Sequence, residues 1–524
     1  MKFPNWLSQR AVQKKDEIAL IFRSGTSAES ESWTYSQLEA DVNQWGDYLQ
    51  ALGIKSGDRV GLLLSNHPRY IMLVHALIKC EAIAVFLNIR LTAAELQWQI
   101  EDSRVKYLLG DELTKSTAEQ IQGLSVYILG FRSPPAPLNK GGELKAPLVK
   151  GEKFSSPPFT RGAGGDQADH LIDFENIQGI FYTSGTTGKP KGVPLTYGNH
   201  FYSAIASALQ LGIDADDNWL LCMPMFHVGG LAIAWRSVIN GTKITLLTKF
   251  NEQEVLEAIA VEKVTIISLV PTMLNRLLEH SQSQNLQKLR AILLGGASAS
   301  SELIDRCLQL NLPIMPTYGM TETASQITTL LPHEVAIKRG SSGLPLLGNR
   351  LRIVDSADHT KELATGEIGQ ILVQGASVMA GYIDQESNSI KSITDGWLHT
   401  GDLGYCDRDG YLYVVSRRSD LIISGGENIY PTEIEAILLE HPAIAEVCVV
   451  GIGDREWGES VAAVIVTRAV AKAQVSLNEI RNFCEQKSLA RYKLPKAIYS
   501  WESLPKNASG KLLRQQIRDR LEQL

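Results

Sequence analysis

Residues 182–193 are Tyr182-Thr183-Ser184-Gly185-Thr186-Thr187-Gly188-Lys189-Pro190-Lys191-Gly192-Val193. They follow a short apolar run that is typical of the end of a buried strand. Glycines turn backbone N–H groups toward one point, hydroxyls add donors and lysines add positive charge, so this stretch predicts a cradle for a polyphosphate. Its glycines are closer together than those of the usual nucleotide-binding loop, and Pro190 stands where that loop has Ser or Thr. A flexible surface loop is the alternative interpretation.

Length and composition limit the classes of protein to which the chain can belong. Its 524 residues predict roughly two to four domains. A formal net charge of -6 argues against a nucleic-acid partner held by a basic surface. The six cysteines are scattered, which favours a reduced, cytoplasmic setting over a disulfide framework or a metal cluster. No apolar run is long enough for stable membrane insertion, no secretory signal is evident, and a homo-oligomer is compatible with the sequence.

Helix and strand signals alternate through most of the chain. Thr34-x-x-Gln37 and Thr92-x-x-Glu95 have the pattern of a capping box, and Pro271 follows an apolar run where the next helix should begin. This alternation predicts an α/β fold in which helices flank mostly parallel sheets. From about residue 343 to 418 short β-strands dominate, and the turn at 407–410 predicts a hairpin.

The sequence predicts two domains. A large N-terminal domain covers residues 1–416 and includes the β-rich subdomain, and a small α+β domain on a hinge covers residues 417–524. Residues 133–166 are rich in Pro, Gly and Lys, so we expect a disordered insertion on a surface loop there.

Three loops that follow predicted strands are rich in small, polar or charged residues. They are Thr183–Lys191, Gly295–Ser298 and Tyr318–Glu322. Ligands bind beyond the carboxyl ends of the strands in open parallel sheets, so we expect these loops to converge on one nucleotide-sized crevice. Next to a phosphate cradle, Glu322 is a natural magnesium ligand. The alternative is that Thr321 caps a helix with Glu322 in its first turn.

Two further motifs are weak when taken singly. Thr400-Gly401-Asp402 offers a carboxylate suited to a pair of ribose hydroxyls, although a simple turn explains the tripeptide equally well. Lys511 follows Asn507-Ala508-Ser509-Gly510, where a turn could deliver its charge into an active site, and a solvated surface lysine is the alternative.

Taken together, these motifs resemble those of the adenylate-forming superfamily of acyl-CoA synthetases, adenylation domains and luciferases. The resemblance covers roughly the last two-thirds of the chain and includes residues 182–193, 318–322, 400–402, 417–431 and 505–511. It implies a reaction in two steps that uses ATP, Mg²⁺ and CoA. A small-molecule carboxylic acid first forms an acyl-adenylate with release of pyrophosphate, and a thiol then displaces AMP.

The resemblance also implies a role for each matching residue. Residues expected to hold the phosphates are Thr183, Ser184, Gly185, Thr186, Thr187, Gly188, Lys189 and Lys191. Gly295, Gly296 and Ala297 would flank the adenine beside Tyr318 and Gly319, and Asp402 and Arg417 would hold the ribose. Thr321 would contact the α-phosphate, Glu322 would bind Mg²⁺, and Lys511 would bridge the carboxylate and the α-phosphate. Ser419 and Asp420 would form the hinge, and Gly425, Gly426 and Glu427 the loop used for thioester formation.

The region expected to form the acid pocket contains few of these motifs, and it indicates together with the wider sequence which acid is activated. The segments that resemble those of o-succinylbenzoate–CoA ligases, which serve menaquinone and phylloquinone biosynthesis, are residues 226–231, 235–238, 265–268, 271–274, 293–296, 318–326 and 419–431. The resemblance implies an acid pocket formed by His227, Arg236, Thr272 and Ser325, in which Arg236 pairs with a second carboxylate of the substrate. From local sequence alone, Arg236 belongs in a surface salt bridge and His227 has a packing or gating role.

Three other functions stay open at this point. They are an aryl- or fatty-acyl-CoA ligase, an adenylation enzyme that loads a carrier-protein thiol, and a binding protein without catalytic activity.

Overall fold

The computed structural model describes residues 2–25, 30–130, 171–183, 190–383, 392–417, 420–424, 427–454, 457–468, 475–487, 489–506 and 512–523. At residues 417, 427 and 428 it describes the backbone alone. The predicted insertion at 133–166, most of the phosphate cradle, Ser419, Gly425, Gly426 and Lys511 therefore lie outside the described residues.

The first part of the chain alternates strands and helices as predicted. Its strands are β1 (Lys2–Pro4), β2 (Ile18–Arg23), β3 (Ser30–Thr34), β4 (Arg59–Leu63), β5 (Ile83–Phe86), β6 (Tyr107–Asp111) and β7 (Ser125–Leu129). Its helices are α1 (Trp6–Gln13), α2 (Tyr35–Ala51), α3 (Pro68–Lys79), α4 (Ala93–Asp102) and α5 (Lys115–Ala118). Both predicted capping boxes form, so side chains of Thr34 and Thr92 satisfy N–H groups at the starts of α2 and α4.

The central part of the chain continues the alternation. Its strands are β8 (Leu171–Asp173), β9 (Ile177–Thr183), β10 (Lys191–Thr196), β11 (Asn218–Leu221), β12 (Lys243–Leu247), β13 (Ile266–Leu269), β14 (Ala291–Leu294), β15 (Ile314–Met320), β16 (Ser325–Thr329) and β17 (Leu344–Pro345). Its helices are α6 (Tyr197–Leu211), α7 (Val228–Asn240), α8 (Glu252–Val261), α9 (Pro271–Glu279) and α10 (Ser301–Gln309). Short 3₁₀ turns cover Ser283–Lys288, Thr321–Thr323 and Pro332–Glu334.

These strands form two large sheets, which confirms the predicted α/β class. One sheet has six strands in the order β10-β9-β5-β4-β6-β7, and the other has nine in the order β17-β16-β15-β14-β13-β11-β12-β2-β3. Most neighbours are parallel, whereas β9–β10, β2–β3, β15–β16 and β16–β17 are antiparallel. Helices α3 and α7 bury nearly all their residues, because they lie in the core that the two sheets share.

A five-stranded antiparallel sheet forms the predicted β-rich subdomain. It contains β18 (Asn349–Val354), β19 (Gly369–Gly375), β20 (Ile393–Thr394), β21 (Trp397–Cys406) and β22 (Leu412–Arg417). Cys406 pairs with Leu412 across the turn at residues 407–410, so the predicted hairpin forms there.

The last unit has its own sheet and its own core. It contains β23 (Ile422–Ser424), β24 (Glu427–Ile429), α11 (Pro431–Leu439), β25 (Ile444–Asp454), β26 (Gly458–Thr467), α12 (Leu477–Gln486), a 3₁₀ turn at Arg491–Lys493, β27 (Ala497–Ser500) and α13 (Arg514–Glu522). Its buried cluster includes Ile434, Val449 and Ile465. The domain boundary between residues 416 and 417 falls within β22 and stays a prediction.

Strand β10 was not expected from the sequence, which predicts only a loop over Thr183–Lys191 after a buried strand. Instead, Lys191–Thr196 returns alongside β9, and Thr196 caps α6 at Tyr197. The composition of this segment does not predict a strand, because Gly192 and Pro194 are both unfavourable inside a sheet. Pro194 is tolerated because β10 is the edge strand of the six-stranded sheet. Strands β9 and β10 therefore form an antiparallel pair in which Lys191 lies opposite Thr183.

The three loops that were expected to converge follow strands of two different sheets. The loop after Thr183 follows β9 of the six-stranded sheet, whereas Gly295 follows β14 and Thr321 follows β15 of the nine-stranded sheet. No helix in the described part of the chain combines the length and apolarity that crossing a membrane requires.

Candidate active site

A cleft of about 1940 Å³ lies where the carboxyl ends of strands from both large sheets face the C-terminal unit. Loops that follow β4, β11, β13 and β14, together with strand β15 itself, contribute to one side of it, and residues of β25 and α13 contribute to the other. The predicted site residues that line the cleft are Thr272, Gly296, Ala297, Tyr318, Gly319, Asp402 and Asp420. This position agrees with the general placement of ligand sites in open α/β sheets.

A buried carboxylate and a tyrosine meet at one wall of the cleft. The Tyr318 hydroxyl donates a hydrogen bond of 2.7 Å to Asp402 Oδ2, and only 6% of Asp402 is exposed. Asp402 belongs to β21, so the alternative of a simple turn at residues 400–402 is wrong. Gly401 adopts a φ of 75°, which bends the strand in a way that suits glycine. A carboxylate in this position can accept hydrogen bonds from vicinal hydroxyls such as those of a ribose.

Glu322 lies in the short 3₁₀ turn between β15 and β16, so the alternative of an α-helix capped by Thr321 is wrong. Its side chain is buried, and its Oε1 accepts a hydrogen bond of 2.9 Å from the Tyr382 hydroxyl. The turn is tight: a Cβ on Gly319 would lie 1.6 Å from the Ser325 carbonyl oxygen, so only glycine fits. Ser325 itself has a φ of 101°. These constraints hold the Glu322 carboxylate at the end of β15.

The surroundings of Glu322 are compatible with a role as a ligand for Mg²⁺. The described residues contain no group of three or more His, Cys, Asp or Glu side chains that could hold a metal ion. Mg²⁺ bound with a nucleotide needs only one or two carboxylates, because phosphate oxygens and water supply its other ligands. The single buried carboxylate of Glu322 fits that requirement.

Tyr382 connects Lys191, at the start of β10, with Glu322. The Lys191 ammonium lies 5.1 Å from the centre of the Tyr382 ring. The backbone N–H of Ile383 donates to the carbonyl of Gly192 at 3.0 Å. Tyr382 was not found by sequence reasoning, since its partners lie far away along the chain and no local pattern marks it.

The predicted adenine loop follows β14. Gly296 has a φ of 77°, and the added Cβ at Gly295 would lie 2.8 Å from Thr317 Cγ2. The two glycines therefore allow the backbone to turn close to β15. Gly296 and Ala297 then face the same cleft as Tyr318.

His227 precedes helix α7 and is mostly withdrawn from solvent. Burial, with a smaller effect of the Arg90 charge, lowers the pKa of His227 to about 4. Its Nε2 has no hydrogen-bond partner among the described residues. At neutral pH the imidazole is therefore neutral and keeps a polar nitrogen that a ligand can contact.

Arg236 lies deep in the core, so its assignment to a surface salt bridge is wrong. Only 2% of the residue is exposed, and its guanidinium carbon lies 5.5 Å from the centre of the Trp219 ring. Nε and Nη2 have no hydrogen-bond partner in the described part of the chain. Burial lowers the pKa of Arg236 to about 10, so the side chain is still charged at neutral pH.

Asn66 is a second residue that sequence reasoning missed. It follows β4 in the six-stranded sheet and lines the cleft. Its Nδ2 donates to the Met223 carbonyl at 2.9 Å, and its Oδ1 accepts from the Met225 N–H at 3.0 Å. Asn66 thus holds the loop that leads into α7, which carries His227 at its start.

On the C-terminal side, Asp420 belongs to a network of charges. Asp420 Oδ2 lies 3.3 Å from Arg514 Nε, and both terminal nitrogens of Arg514 donate to Glu435. Lys506 pairs with Leu512 as an isolated β-bridge. The two residues that flank the segment of Lys511 are therefore held together beside the cleft, although Lys511 itself lies outside the described residues.

The remaining predicted residues are placed as follows. Thr183 and Lys191 lie at the facing ends of β9 and β10. Arg417 ends β22 opposite Asp402, and Glu427 begins β24, with only their backbones described.

Comparisons with known proteins agree with this geometry. The family model of the AMP-binding enzyme matches residues 7–383, and that of the AMP-binding enzyme C-terminal domain matches residues 433–511. The chain is 43% identical over 525 residues to a 2-succinylbenzoate–CoA ligase of Bacillus cytotoxicus, which covers 99% of both proteins.

Solved structures extend the similarity to the whole fold. The chain is similar to o-succinylbenzoate CoA synthetase from Bacillus subtilis in complex with the acyl-adenylate intermediate OSB-AMP, with a TM-score of 0.84, 38% identity and 99% coverage of each chain. The same enzyme in complex with ATP and magnesium ion also has a TM-score of 0.84 at 38% identity, with 99% and 100% coverage. ATP-bound MatB from Rhodopseudomonas palustris has a TM-score of 0.83 at 26% identity, with 99% coverage of each chain.

Proposed function

Because the chain belongs to the AMP-binding enzyme family, we propose that it is an AMP-forming acid–thiol ligase whose acid substrate is 2-succinylbenzoate. In the first step, a carboxylate oxygen of the acid attacks the α-phosphorus of ATP, and pyrophosphate leaves. In the second step, the CoA sulfur attacks the acyl carbon, and AMP leaves with the electrons of the broken C–O bond. The product, 2-succinylbenzoyl-CoA, serves menaquinone or phylloquinone biosynthesis.

The described residues suit the first step. Asp402, held by Tyr318 and joined by Arg417 on the neighbouring strand, would bind the ribose hydroxyls. Gly295, Gly296 and Ala297 would flank the adenine. Glu322 would hold Mg²⁺, whose charge offsets that of the phosphate oxygens when it is bound.

Other residues would act on the phosphates and on the reacting carboxylate. Thr183, Lys191 and the segment between them would hold the leaving pyrophosphate, and Thr321 would contact the α-phosphate. Lys511 would place its charge beside the oxygens on which negative charge develops, which lowers the barrier directly. Asp420 with Ser419 would form the hinge, and residues 425–427 would approach the site for thioester formation.

The observation of this chain that carries the choice of acid is the unpaired charge of Arg236. An isolated cation is costly to bury, so buried arginines are normally paired with a carboxylate. 2-Succinylbenzoate has a second carboxylate besides the one that is activated. That group would give Arg236 the anion that the described residues do not supply.

In this proposal, a path to Arg236 would run inward from the cleft. The cleft lining includes Phe226 and Cys222, which precede α7 and follow β11. Trp219, whose ring contacts Arg236, lies earlier on the same strand β11. The acid pocket would therefore continue from the cleft along α7, with His227 and Thr272 near its mouth and Ser325 beside Glu322.

We extend the proposal to a cytoplasmic location and to small-molecule partners without nucleic acid. All six cysteines are unpaired, as a reducing compartment favours. The net charge of -6 offers no basic field for a nucleic acid. A homo-oligomer is compatible with these features.

The proposal is tested with purified protein, ATP, Mg²⁺, CoA and a panel of acids. AMP and thioester are measured with 2-succinylbenzoate, benzoate and a long-chain fatty acid. We expect turnover with 2-succinylbenzoate that exceeds turnover with the other acids. Turnover of benzoate or of the fatty acid without turnover of 2-succinylbenzoate would contradict the proposed substrate, and the absence of AMP with every acid would contradict the ligase activity.

A further inference from the structure

The segment 376–383, here called the bridging segment, crosses from the β-rich subdomain to the predicted phosphate site. Its carbonyls at Ala376 and Val378 accept hydrogen bonds of 2.9 and 3.0 Å from Asn199 Nδ2. The Met379 N–H donates to the Glu322 carbonyl at 2.8 Å, and the Ile383 N–H donates to the Gly192 carbonyl at 3.0 Å. The segment is thus fixed to α6, to the turn that carries Glu322 and to strand β10.

Tyr382 is the residue of the bridging segment whose side chain joins two predicted ligand-binding groups. Its hydroxyl donates to Glu322 Oε1 at 2.9 Å, and its ring faces the Lys191 ammonium at 5.1 Å. A hydrogen bond to an ionised carboxylate is stronger than one between neutral groups, and it fixes the direction of the acceptor. A carboxylate has about four lone-pair sites, so this bond is compatible with a metal on the same group.

The packing around Tyr382 leaves little freedom for the strand that carries Lys191. A Cβ on Gly192 would lie 2.4 Å from Ile383 Cδ1. Strand β10 and the bridging segment therefore approach each other closely at Gly192, next to Lys191. The quadrupole of an aromatic ring attracts a cation that lies over it, and unlike an ion pair this contact does not neutralise the cation.

We propose that Tyr382 is a positioning residue for adenylation, whose hydroxyl orients the magnesium-binding carboxylate of Glu322 and whose ring orients Lys191 toward the phosphates. The proposal rests on the proposed function, since it assigns to Glu322 and Lys191 their roles in binding Mg²⁺ and ATP. It does not depend on which acid is activated.

The chain contains a matched arrangement that serves as an internal control. The Tyr411 hydroxyl donates to Glu334 Oε1 at 2.5 Å, and the Lys338 ammonium lies 4.5 Å from the centre of the Tyr411 ring. Lys338 also pairs with two aspartates, Asp407 at 2.8 Å and Asp409. Unlike Lys191 and Glu322, the Lys338 and Glu334 partners of Tyr411 belong to no segment that is predicted to bind ATP or Mg²⁺. The same three residue types therefore occur both at the site and away from it.

The test compares Tyr382→Phe with Tyr411→Phe. Exchange of pyrophosphate into ATP, which reports the adenylation step alone, is measured over a range of Mg²⁺ concentrations. Loss of a partner that orients a metal ligand typically costs about 10-fold or more in metal affinity or activity. We expect that loss in Tyr382→Phe and less than about a 2-fold change in Tyr411→Phe, which removes an equivalent bond away from the site.

Two further measurements separate positioning from a general structural role. Thioester formation from supplied acyl-adenylate should stay at the wild-type rate in Tyr382→Phe. Tyr382→Leu, which also removes the ring, should raise the KM for ATP beyond that of Tyr382→Phe. If Tyr382→Leu does not fold, Tyr382→Phe, which lacks a single oxygen atom, decides the question alone.

A wild-type dependence on Mg²⁺ in Tyr382→Phe, or an equal loss in both steps, would overturn the proposal. If the wild-type protein activates no acid, the proposed function fails on its own. Mg²⁺-dependent ATP binding of the wild-type protein and of Tyr382→Phe, measured by calorimetry, then still tests Tyr382: weaker binding in the variant supports the proposal, and equal binding overturns it.

Discussion

Arg236 and Arg514 are both withdrawn from solvent, yet their charges are used in opposite ways. Arg514 opens α13, donates to both oxygens of Glu435, with Nη2 to Oε2 at 2.6 Å, and lies 3.3 Å from Asp420. Arg236 lies in the middle of α7, and its Nε and Nη2 have no hydrogen-bond partner among the described residues. Its contact with the Trp219 ring does not satisfy its N–H donors.

The difference also appears in the direction of the pKa shifts. Burial acts to lower the pKa of Arg514, but the carboxylate of Glu435 outweighs it and raises the pKa above the usual value. Burial acts alone on Arg236 and lowers its pKa to about 10. The charge of Arg514 is therefore part of the fold, whereas the charge of Arg236 weakens the empty protein and becomes favourable when an anion binds.

The largest effect is expected from breaking the paired arginine. Glu435→Gln removes the negative charge next to Arg514 with almost no change of shape. Breaking a buried ion pair typically costs about 3–5 kcal/mol, so the free energy of unfolding of the C-terminal unit should fall by that amount. Urea denaturation measures the loss, with Arg236→Met as the control that should lose none of this stability. A Glu435→Gln variant as stable as the wild-type protein would remove the contrast between the two arginines.

A smaller effect is expected at the loop that leads to Arg236. Asn66→Ala leaves the buried N–H of Met225 without its acceptor, which costs about 1–3 kcal/mol. The KM for the acid should therefore rise about 10-fold, with little change in the KM for ATP. Steady-state kinetics measure both constants. Asn66→Asp keeps the acceptor but loses the donor, so its KM for the acid should lie between those of the wild-type protein and Asn66→Ala. Equal rises in both KM values would show that Asn66 does not act through the acid pocket.

The fold was predictable from the sequence wherever local chemistry determines structure. Thr34 with Gln37 and Thr92 with Glu95 mark helix starts because each box is completed within one turn. Strand β10 was missed because Gly192 and Pro194 contradict the usual strand composition, and only the position of β10 at a sheet edge makes them acceptable.

The parts of the site that could not be predicted depend on contacts between distant residues. The bond from Tyr382 to Glu322 joins residues 60 positions apart, and that between Asn66 and Met225 spans 159 positions. No local pattern encodes such pairs. The burial of Arg236 was likewise not predictable, because the sequence of an apolar helix does not show whether an acidic residue lies opposite its arginine.

The smallest effect is expected from pH. Burial, aided by the charge of Arg236, lowers the pKa of His200 to about 3 in the folded protein, below the usual 6.5 of a free imidazole. Protonation therefore favours the unfolded chain, so the stability that neutral His200 contributes is complete above about pH 6.5 and is lost as the pH falls toward 3. In Arg236→Met the pKa of His200 should rise, and the loss between pH 5 and pH 3 should be less steep. Denaturation midpoints across this range measure the slope, and identical slopes would show that the two charges do not interact.

The central claim is that Arg236 binds the second carboxylate of 2-succinylbenzoate. It is tested most directly by kcat/KM for this acid and for both of its monomethyl esters, in the wild-type protein and in Arg236→Met, where the ester that keeps the reacting carboxylate free gives the comparison. A hydrogen-bonded charge contributes about 1.5–3 kcal/mol, so the wild-type protein should prefer the free diacid by about 10-fold to 100-fold, and Arg236→Met should lose this preference. A preference in Arg236→Met as large as that of the wild-type protein would contradict the claim.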